Sequence, residues 1–450
     1  TNYFFFILLA YLIVYVSLAT ATYFKKKRVQ LPVDKHIKAS VSVVFPCKGK
    51  YDEEEQYPIW DEYLTQVYDG PIDYIFAVES EEDPAYTDIY NFLVAKGIKQ
   101  PRTFGHISQN RRIILKVTGL SFHCSQKIHQ LLHAFKGQRT QYFIQMDDDM
   151  LIHKYVFQEL VDAIKDKRAI STGYTVEIPV SYSLTSQMVA SYRSFFLFGF
   201  IREQCGGVWG GSICMKRQDY IDMDVERVLA EGGYSDDNLI QALAAKHGYQ
   251  TIAPHANMFI NRIGEGPFVK KYFNYVRRQY FVLKYYLNAV NHLLVLVQKW
   301  ALILVGFTFQ VSFGVFVYDQ VLCYQQSLII EAVVKLASFV VFVLLIGTFQ
   351  NIEINAFKNL SQKLINKTVN AKMNFAVAGI SFYLHTALAS WIILGTLFMK
   401  KIVWSGVTYH CSKGKVVLVQ RDGIQEKTFQ ESQNEFFSEQ TPLFSEQQIQ

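Results

Sequence analysis

Asp147, Asp148 and Asp149 stand together between two short apolar runs, Tyr142-Phe-Ile-Gln-Met146 and Met150-Leu-Ile152. The first run reads as a buried strand, so the carboxylates fall where that strand ends. In open α/β sheets, ligands collect at the carboxyl ends of strands. Three adjacent carboxylates repel one another and are costly to hold without a cation. Asp147 and Asp149 are therefore candidate ligands for Mg²⁺ or Mn²⁺, hard ions that take oxygen donors and share them with phosphates. A polar turn or a helix N-cap is the competing reading. A second acidic pair, Asp236-Asp237, follows Ser235 and opens the apolar-periodic stretch Leu239–Ala245. Helix capping competes with a chemical role there too. Four glycines in the seven residues Gly206–Ser212 suit either a close backbone approach to a ligand or a plain loop. Residues 268–288 interleave Lys270, Lys271, Arg277, Arg278 and Lys284 with Tyr and Phe. That composition fits a membrane-surface helix; alternatively, Arg277 and Arg278 neutralise a phosphate leaving group.

The elements around these residues alternate. Val41–Phe45 reads as a strand ending at Pro46-Cys47-Lys48-Gly49, and Tyr74–Val78 as a second strand running into Glu79-Ser80-Glu81-Glu82-Asp83-Pro84. Residues 86–96, 126–136 and 156–166 read as helices. This βαβα order predicts an α/β domain over about residues 40–290, with a mainly parallel sheet and its site along one edge. Residues 183–201 are apolar and aromatic with single polar breaks, and read as a core helix or as one lying in a membrane surface.

The chain of 450 residues is 50% hydrophobic and 15% aromatic, with mean hydropathy +0.09, too apolar for an ordinary soluble enzyme of this size. Its net charge of +6 is modest and forms no concentrated basic patch, so no nucleic acid partner is expected. The six cysteines are scattered, without zinc spacing, and suit reduced thiols. Residues 3–22 are uncharged and long enough to span a bilayer, and Lys25-Lys26-Lys27-Arg28 follow directly. That order predicts an N-terminal transmembrane anchor (1–24) with the next domain in the cytosol. Spans are expected near 301–318, 332–349 and 375–399 within a transmembrane region at 291–400. Asn351–Lys372 is expected to be a polar cytosolic loop; its sequons at Asn359 and Asn366 should then stay unmodified. A C-terminal segment at 401–450 follows, disordered beyond 422. Four spans from a lumenal N-terminus would put that segment in the lumen, whereas Lys400, Lys401, Lys413 and Lys415 argue for the cytosol. Either one candidate span is re-entrant or the charge rule fails here.

With these pieces in place, the chain resembles the ceramide glucosyltransferase family, within the inverting membrane glycosyltransferases that include hyaluronan, chitin and cellulose synthases. The similarity runs over residues 3–416. Pro46-Cys47-Lys48-Gly49 resembles the family's Pro-Leu-Lys-Gly, and Glu82-Asp83-Pro84-Ala85 its Asp-Asp-Pro-Ala. Ser125-Gln126-Lys127-Ile128-His129-Gln130-Leu131 is similar to its Asn-Pro-Lys-Ile-Asn-Asn-Leu. Asp147–Asp149 falls on the metal-binding Asp-x-Asp, Gly210-Gly211-Ser212 on Gly-Met-Ser, Asp236-Asp237 on Glu-Asp, and Trp404 with Tyr409 on the closing Trp-x-x-Gly-x-Tyr.

The resemblance implies a mainly parallel-sheet nucleotide-sugar glycosyltransferase domain that moves glucose from UDP-glucose to ceramide with inversion. It implies Asp237, with Asp236, as the catalytic pair, and Asp147 and Asp149 as ligands of Mg²⁺ or Mn²⁺. Lys48, Asp83, Lys127, Gly210, Ser212, Arg277 and Arg278 fall on the substrate side. The implied partners are a nucleotide-sugar donor, a lipid acceptor and the Golgi or endoplasmic reticulum membrane, with the domain cytosolic. Two departures stand out: Ser80 replaces the first sugar-nucleotide aspartate, and Tyr280 replaces the tryptophan of the Gln/Arg-x-x-Arg-Trp motif. They keep two rivals open, a catalytically inactive subunit of a membrane complex and a polysaccharide synthase.

Overall fold

The computed structural model describes residues 38–98, 105–108, 110–200, 202–263, 269–365 and 369–423, with Ile13, Ser17 and Glu431 besides. The expected N-terminal anchor and the tail beyond 423 lie outside the described residues.

Five strands build the part of the sheet that matters for the site: β1 (Val41–Pro46), β2 (Ile72–Val78), β3 (Gly105–Ser108), β4 (Arg111–Val117) and β5 (Tyr142–Met146). Helices α1 (Glu53–Leu64), α2 (Pro84–Ala95), α3 (Gln126–Phe135) and α4 (Val156–Asp162) connect or follow them. Then come β6 (Ala169–Thr172), β7 (Tyr174–Pro179), α5 (Leu184–Leu197) and β8 (Ser212–Lys216). The domain closes with α6 (Arg217–Asp222), α7 (Val225–Ala230), α8 (Asp236–Lys246), β9 (Gln250–Ile252), β10 (Met258–Ile263) and α9 (Val269–Phe281). The main sheet has eight strands in the order β3-β4-β2-β1-β5-β8-β6-β9. Pairs β4-β2, β2-β1, β1-β5 and β6-β9 are parallel, while β8 runs antiparallel to β5 and β6. The sheet is therefore mostly parallel, as expected, with β8 reversed at its centre. A separate parallel pair, β7-β10, lies beside it.

The unbroken apolar runs of β1, β2 and β5 follow from burial on both faces. Val41, Val43 and Phe45 belong to one core cluster and Val44 to another; Tyr142, Ile144 and Met146 oppose Phe143 in the same way. Period-2 side-chain alternation divides each strand between two cores.

Among the described residues, three further helices are long and apolar enough to cross a membrane: α10 (Ala289–Gln325), α11 (Ile329–Ile365, apolar to Ile352) and α12 (Phe375–Phe398). The first two expose Leu293, Leu304, Val311, Ile330, Val334 and Val341, a continuous apolar surface that water would not tolerate. α12 differs, because 61% of its apolar window is buried inside the protein, against 28% for α10 and 17% for α11. It packs on α5, α9, α10 and α11. Glycine permits the closeness: a Cβ on Gly347 would sit 1.6 Å from the Phe375 carbonyl oxygen, and one on Gly379 2.0 Å from that of Val343.

Both flanks of α12 are tied to the α/β domain. Lys372 N donates to Pro179 O at 2.9 Å before it, and Lys284 Nζ donates to Leu397 O at 3.0 Å at its end. The chain then forms a three-stranded antiparallel sheet, β11 (Lys401–Trp404), β12 (Val407–Ser412) and β13 (Lys415–Arg421). It rests on the domain through Val416 N to Gly232 O (2.8 Å) and the Arg421–Glu79 pair (3.2 Å). The segment from Lys401 to Arg421 therefore packs on the α/β domain.

Asn351–Lys372 is not a loop over its first half. The helix α11 continues to Ile365, because Ile354 and Ile365 supply buried anchors in the domain's core. Asn359 thus lies beside the α/β domain, and Asn366 lies outside the described residues. We expect no endoglycosidase-sensitive mobility shift for the full chain in microsomes. A shift lost in Asn359→Gln would put this stretch and the packed domain in the lumen.

Candidate active site

The carboxyl ends of β1 and β5 open into a cavity of about 820 Å³. Its wall includes Lys48, Lys127, Asp147, Asp149, Asp237 and Arg278. The strand-end acids are held from behind. Tyr63 Oη donates to the carbonyl oxygens of Asp147 (3.0 Å) and Met150 (2.9 Å), and Asp147 N donates to Gly211 O at 2.9 Å. Asp148 lines the cavity too, but it is buried and its carboxylate accepts from Tyr51 Oη. Asp147 and Asp149 are the more exposed of the three.

Lys127, at the start of α3, is the counter-charge. Its Nζ lies 2.8 Å from Asp147 Oδ1, 3.3 Å from Asp236 Oδ2 and 3.0 Å from Gly210 O. Burial would lower its pKa, but the carboxylates of Asp147, Asp236 and Asp237 outweigh that and keep the ammonium charged. Asp236 is buried and accepts from Gln145 Nε2 at 2.5 Å. A Cβ at Gly210 would meet its Oδ1 at 3.0 Å, so this stretch of the glycine loop runs close over the acid. Asp237, one residue on, lines the cavity instead. Its Oδ1 accepts from Asn238 N at 2.7 Å and from Ser235 Oγ.

Capping and chemistry divide within this acidic pair. The Ser235 side chain makes no bond to the first backbone amides of α8 and instead holds Asp237. Arg277 and Arg278 divide as well. Successive helical residues project about 100° apart, so one of a neighbouring pair faces the cavity. Arg278 does, with its guanidinium 5.2 Å from the Trp404 ring centroid. Arg277 is exposed, bonds Asn274 Oδ1 at 2.8 Å and lies outside the wall, so the paired-arginine expectation holds for one residue only.

Asp83 and Ser212 also lie outside the wall. Asp83 accepts from Gly49 N at 2.8 Å and Ala85 N at 2.9 Å, capping α2 and holding the Lys48-Gly49 turn. Ser212 is buried at the start of β8. Lys48 lines the cavity and pairs with Glu79 at 2.5 Å, and Arg421 reaches the same carboxylate. Ser80 accepts from Asp83 N at 3.2 Å, a turn contact.

Sequence reasoning passed over Glu177 and Arg193. They pair at 3.1 Å on the cavity wall, and Arg193 Nε donates to Tyr275 Oη at 2.8 Å. The available signal was an arginine inside the otherwise apolar 183–201 segment, which needed a partner.

The site has the donor chemistry for a hard divalent cation. Enclosure by protein and the charges of Asp148, Asp147 and Glu177 push the pKa of Asp149 above the ordinary carboxylate value. Asp149 is itself accessible from the cavity, so charge crowding weighs more than burial in that shift. Burial, first, and Asp147 likewise raise Asp148. A dication between them reverses the sign of this crowding.

No family model and no curated protein matches the sequence. Among solved structures, the chain is similar to mannosyltransferase PcManGT from Pyrobaculum calidifontis, solved in complex with GDP-Man and Mn²⁺. Identity is 15% and the TM-score 0.42, over 79% of this chain and 99% of that one. It is also similar to GalNAc-T7 with UDP, GalNAc and Mn²⁺, at 12% identity and TM-score 0.32. That match covers 58% of this chain and 56% of the other.

A raised carboxyl pKa means that a cation must displace a proton to bind. We expect Mn²⁺ binding at neutral pH to release protons and to weaken as pH falls. Calorimetry in buffers of different ionisation enthalpy checks this; an enthalpy independent of buffer would contradict it.

Proposed function

We propose that the chain is a membrane-bound glycosyltransferase that moves a hexose from a nucleotide-sugar donor to a lipid hydroxyl, with inversion. One observation carries the reading: the strand-end acids, Lys127, Arg278 and Asp237 face a single cavity whose other wall meets the membrane helices. Tyr272 lines that cavity and bonds His385 of α12 at 2.7 Å, and Val189 of α5 lines it too. An acceptor with a polar head and a hydrocarbon body fits such a wall. The resemblance to ceramide glucosyltransferases favours UDP-glucose and ceramide, and a cytosolic domain at the Golgi or endoplasmic reticulum.

In this reading Asp147 and Asp149 hold Mg²⁺ or Mn²⁺, which supplies Lewis-acid charge to the donor diphosphate. Lys127 and Arg278 add positive charge on the same side. Asp237 takes the proton from the acceptor hydroxyl. The hydroxyl oxygen bonds to the anomeric carbon as its bond to the phosphate oxygen breaks. The electron pair leaves with the nucleoside diphosphate, and one displacement inverts the centre. Lys48 and the Asp83-held turn bound the donor end, and Gly210 lets the backbone approach.

A second reading, an inactive glycosyltransferase-like subunit of a membrane complex, draws on one observation. Glu79, one of the two acids that flank Ser80, is engaged by Lys48 and Arg421 and so is not open to a nucleoside.

Purified protein with labelled UDP-sugars and ceramide separates the readings. We expect divalent-dependent transfer, abolished in Asp149→Asn with the fold retained. Asp237→Asn should bind donor normally and transfer at about 10⁻² of the wild-type rate or less, the usual scale for a lost general base. Full activity of Asp149→Asn would sink the metal assignment, and loss of donor binding in Asp237→Asn with unchanged turnover would sink the base. No transfer with any sugar would favour the subunit reading, and secreted polymer a polysaccharide synthase.

A further inference from the structure

The loop entering α3 carries a side-chain group that the transfer chemistry does not use. His123, Cys124 and His129 are all buried, and one ligand atom from each falls within 4.8 Å of the others. Ring centroids of His123 and His129 are 5.5 Å apart, and those of His129 and His133 4.2 Å. His129 and His133 stand four residues apart on α3, hence on one face of the helix. Packing of neutral imidazoles is the plain alternative, but two details favour a ligand set. Nε2 of His129 lies 3.0 Å from the Thr118 carbonyl oxygen. A carbonyl only accepts, so that nitrogen carries the hydrogen and Nδ1 keeps its lone pair. Metal-binding imidazoles are commonly oriented in this way. The other detail is composition. Imidazole and thiol donors select a borderline-soft ion, whereas the aspartates at the end of β5 select a hard one.

We propose that His123, Cys124 and His129 bind one structural zinc ion, with His133 packed against His129 at the edge of the site. Tetrahedral zinc with bonds of ~2.0–2.3 Å sets its ligands roughly 3.3–3.8 Å apart, so the loop closes slightly on the ion. Binding takes the proton from the Cys124 thiol to solvent, and the thiolate offsets part of the ion's charge. Two cations work against the site. Lys116 donates to the His133 carbonyl, and Arg421 bonds Gln126 beside it. The ligand set must outweigh them. Its effect falls on the active site through the chain. Ser125 N donates to Gly233 O, Gln126 N donates to Tyr409 Oη, and Lys127 reaches Asp147 and Asp236. The ion pins the loop that leads into the first turn of α3, which carries Lys127.

The test uses the full chain purified in detergent from zinc-replete cells and dialysed against a weak chelator. Mass spectrometry of its metal content should find about one zinc per chain. Cobalt exchanged into it should give a thiolate-to-cobalt charge-transfer band. Cys124→Ser should lose the band, and His129→Asn at least tenfold of the metal. Asp149→Asn should keep the zinc, which separates this site from the donor-side cation. A wild-type chain with neither zinc nor a cobalt band overturns the proposal, as does unchanged metal in both variants. Should those variants fail to fold, cobalt titration of the wild-type chain after zinc removal decides it alone.

Discussion

The crowding of Asp147, Asp148 and Asp149 at the end of β5 governs the rest of the site. Three like charges in consecutive positions repel strongly where protein replaces water. Each is disposed of differently. Asp147 is matched by Lys127, Asp148 is buried and accepts from Tyr51, and Asp149 is left exposed on the cavity wall with no cationic partner among the described residues. Only the last still asks for a partner from outside. The donor atoms, the cavity and the raised carboxyl pKa values all express this one unresolved charge.

Lys127 links that constraint to the second acidic pair. It bridges Asp147, on a strand, to Asp236, at the first turn of α8, and so fixes the distance between the two halves of the cavity. Breaking the more buried of these pairs, Lys127–Asp236, would leave an acid poorly compensated away from water. This explains why a buried lysine is tolerated here. It also explains why Gly210 must stay small, since its carbonyl accepts from Lys127 while its Cα faces Asp236. Asp237, one residue on, lines the cavity without a salt bridge among the described residues.

The membrane helices and the C-terminal sheet complete the enclosure. α12 carries Ser381, His385, Thr386, Ser390 and Thr396 buried within the protein, a polar stripe that would be costly against lipid. Buried between the domain and α10–α11, it forms a floor beneath α5 and α9. The sheet β11–β13 returns over the domain and brings Trp404 onto Arg278 and Arg421 onto Glu79. Arg421 and Glu79, 342 residues apart in sequence, thus meet beside Lys48.

Local pattern determined much of this protein. Apolar runs of strand length gave away β1, β2 and β5, because strands buried on both faces carry no polar alternation. The acids at their ends, the helix from Gln126 and the basic helix from Val269 were legible from residue type and spacing alone. Long apolar stretches announced α10 to α12, since only length and hydropathy decide whether a helix can cross a bilayer. What the chain could not disclose locally was partnership. Which of Arg277 and Arg278 faces the cavity depends on the rotation of α9, and which of Asp236 and Asp237 is paired depends on where Lys127 arrives. The role of α12 turns on what covers it, and its hydropathy is the same whether lipid or protein does so. The reversal of β8, the continuation of α11 past Ile352 and the return of β13 to Glu79 rest on contacts between residues far apart in sequence. Periodicity reports the environment of each residue along its own element, and only tertiary structure decides which element supplies that environment.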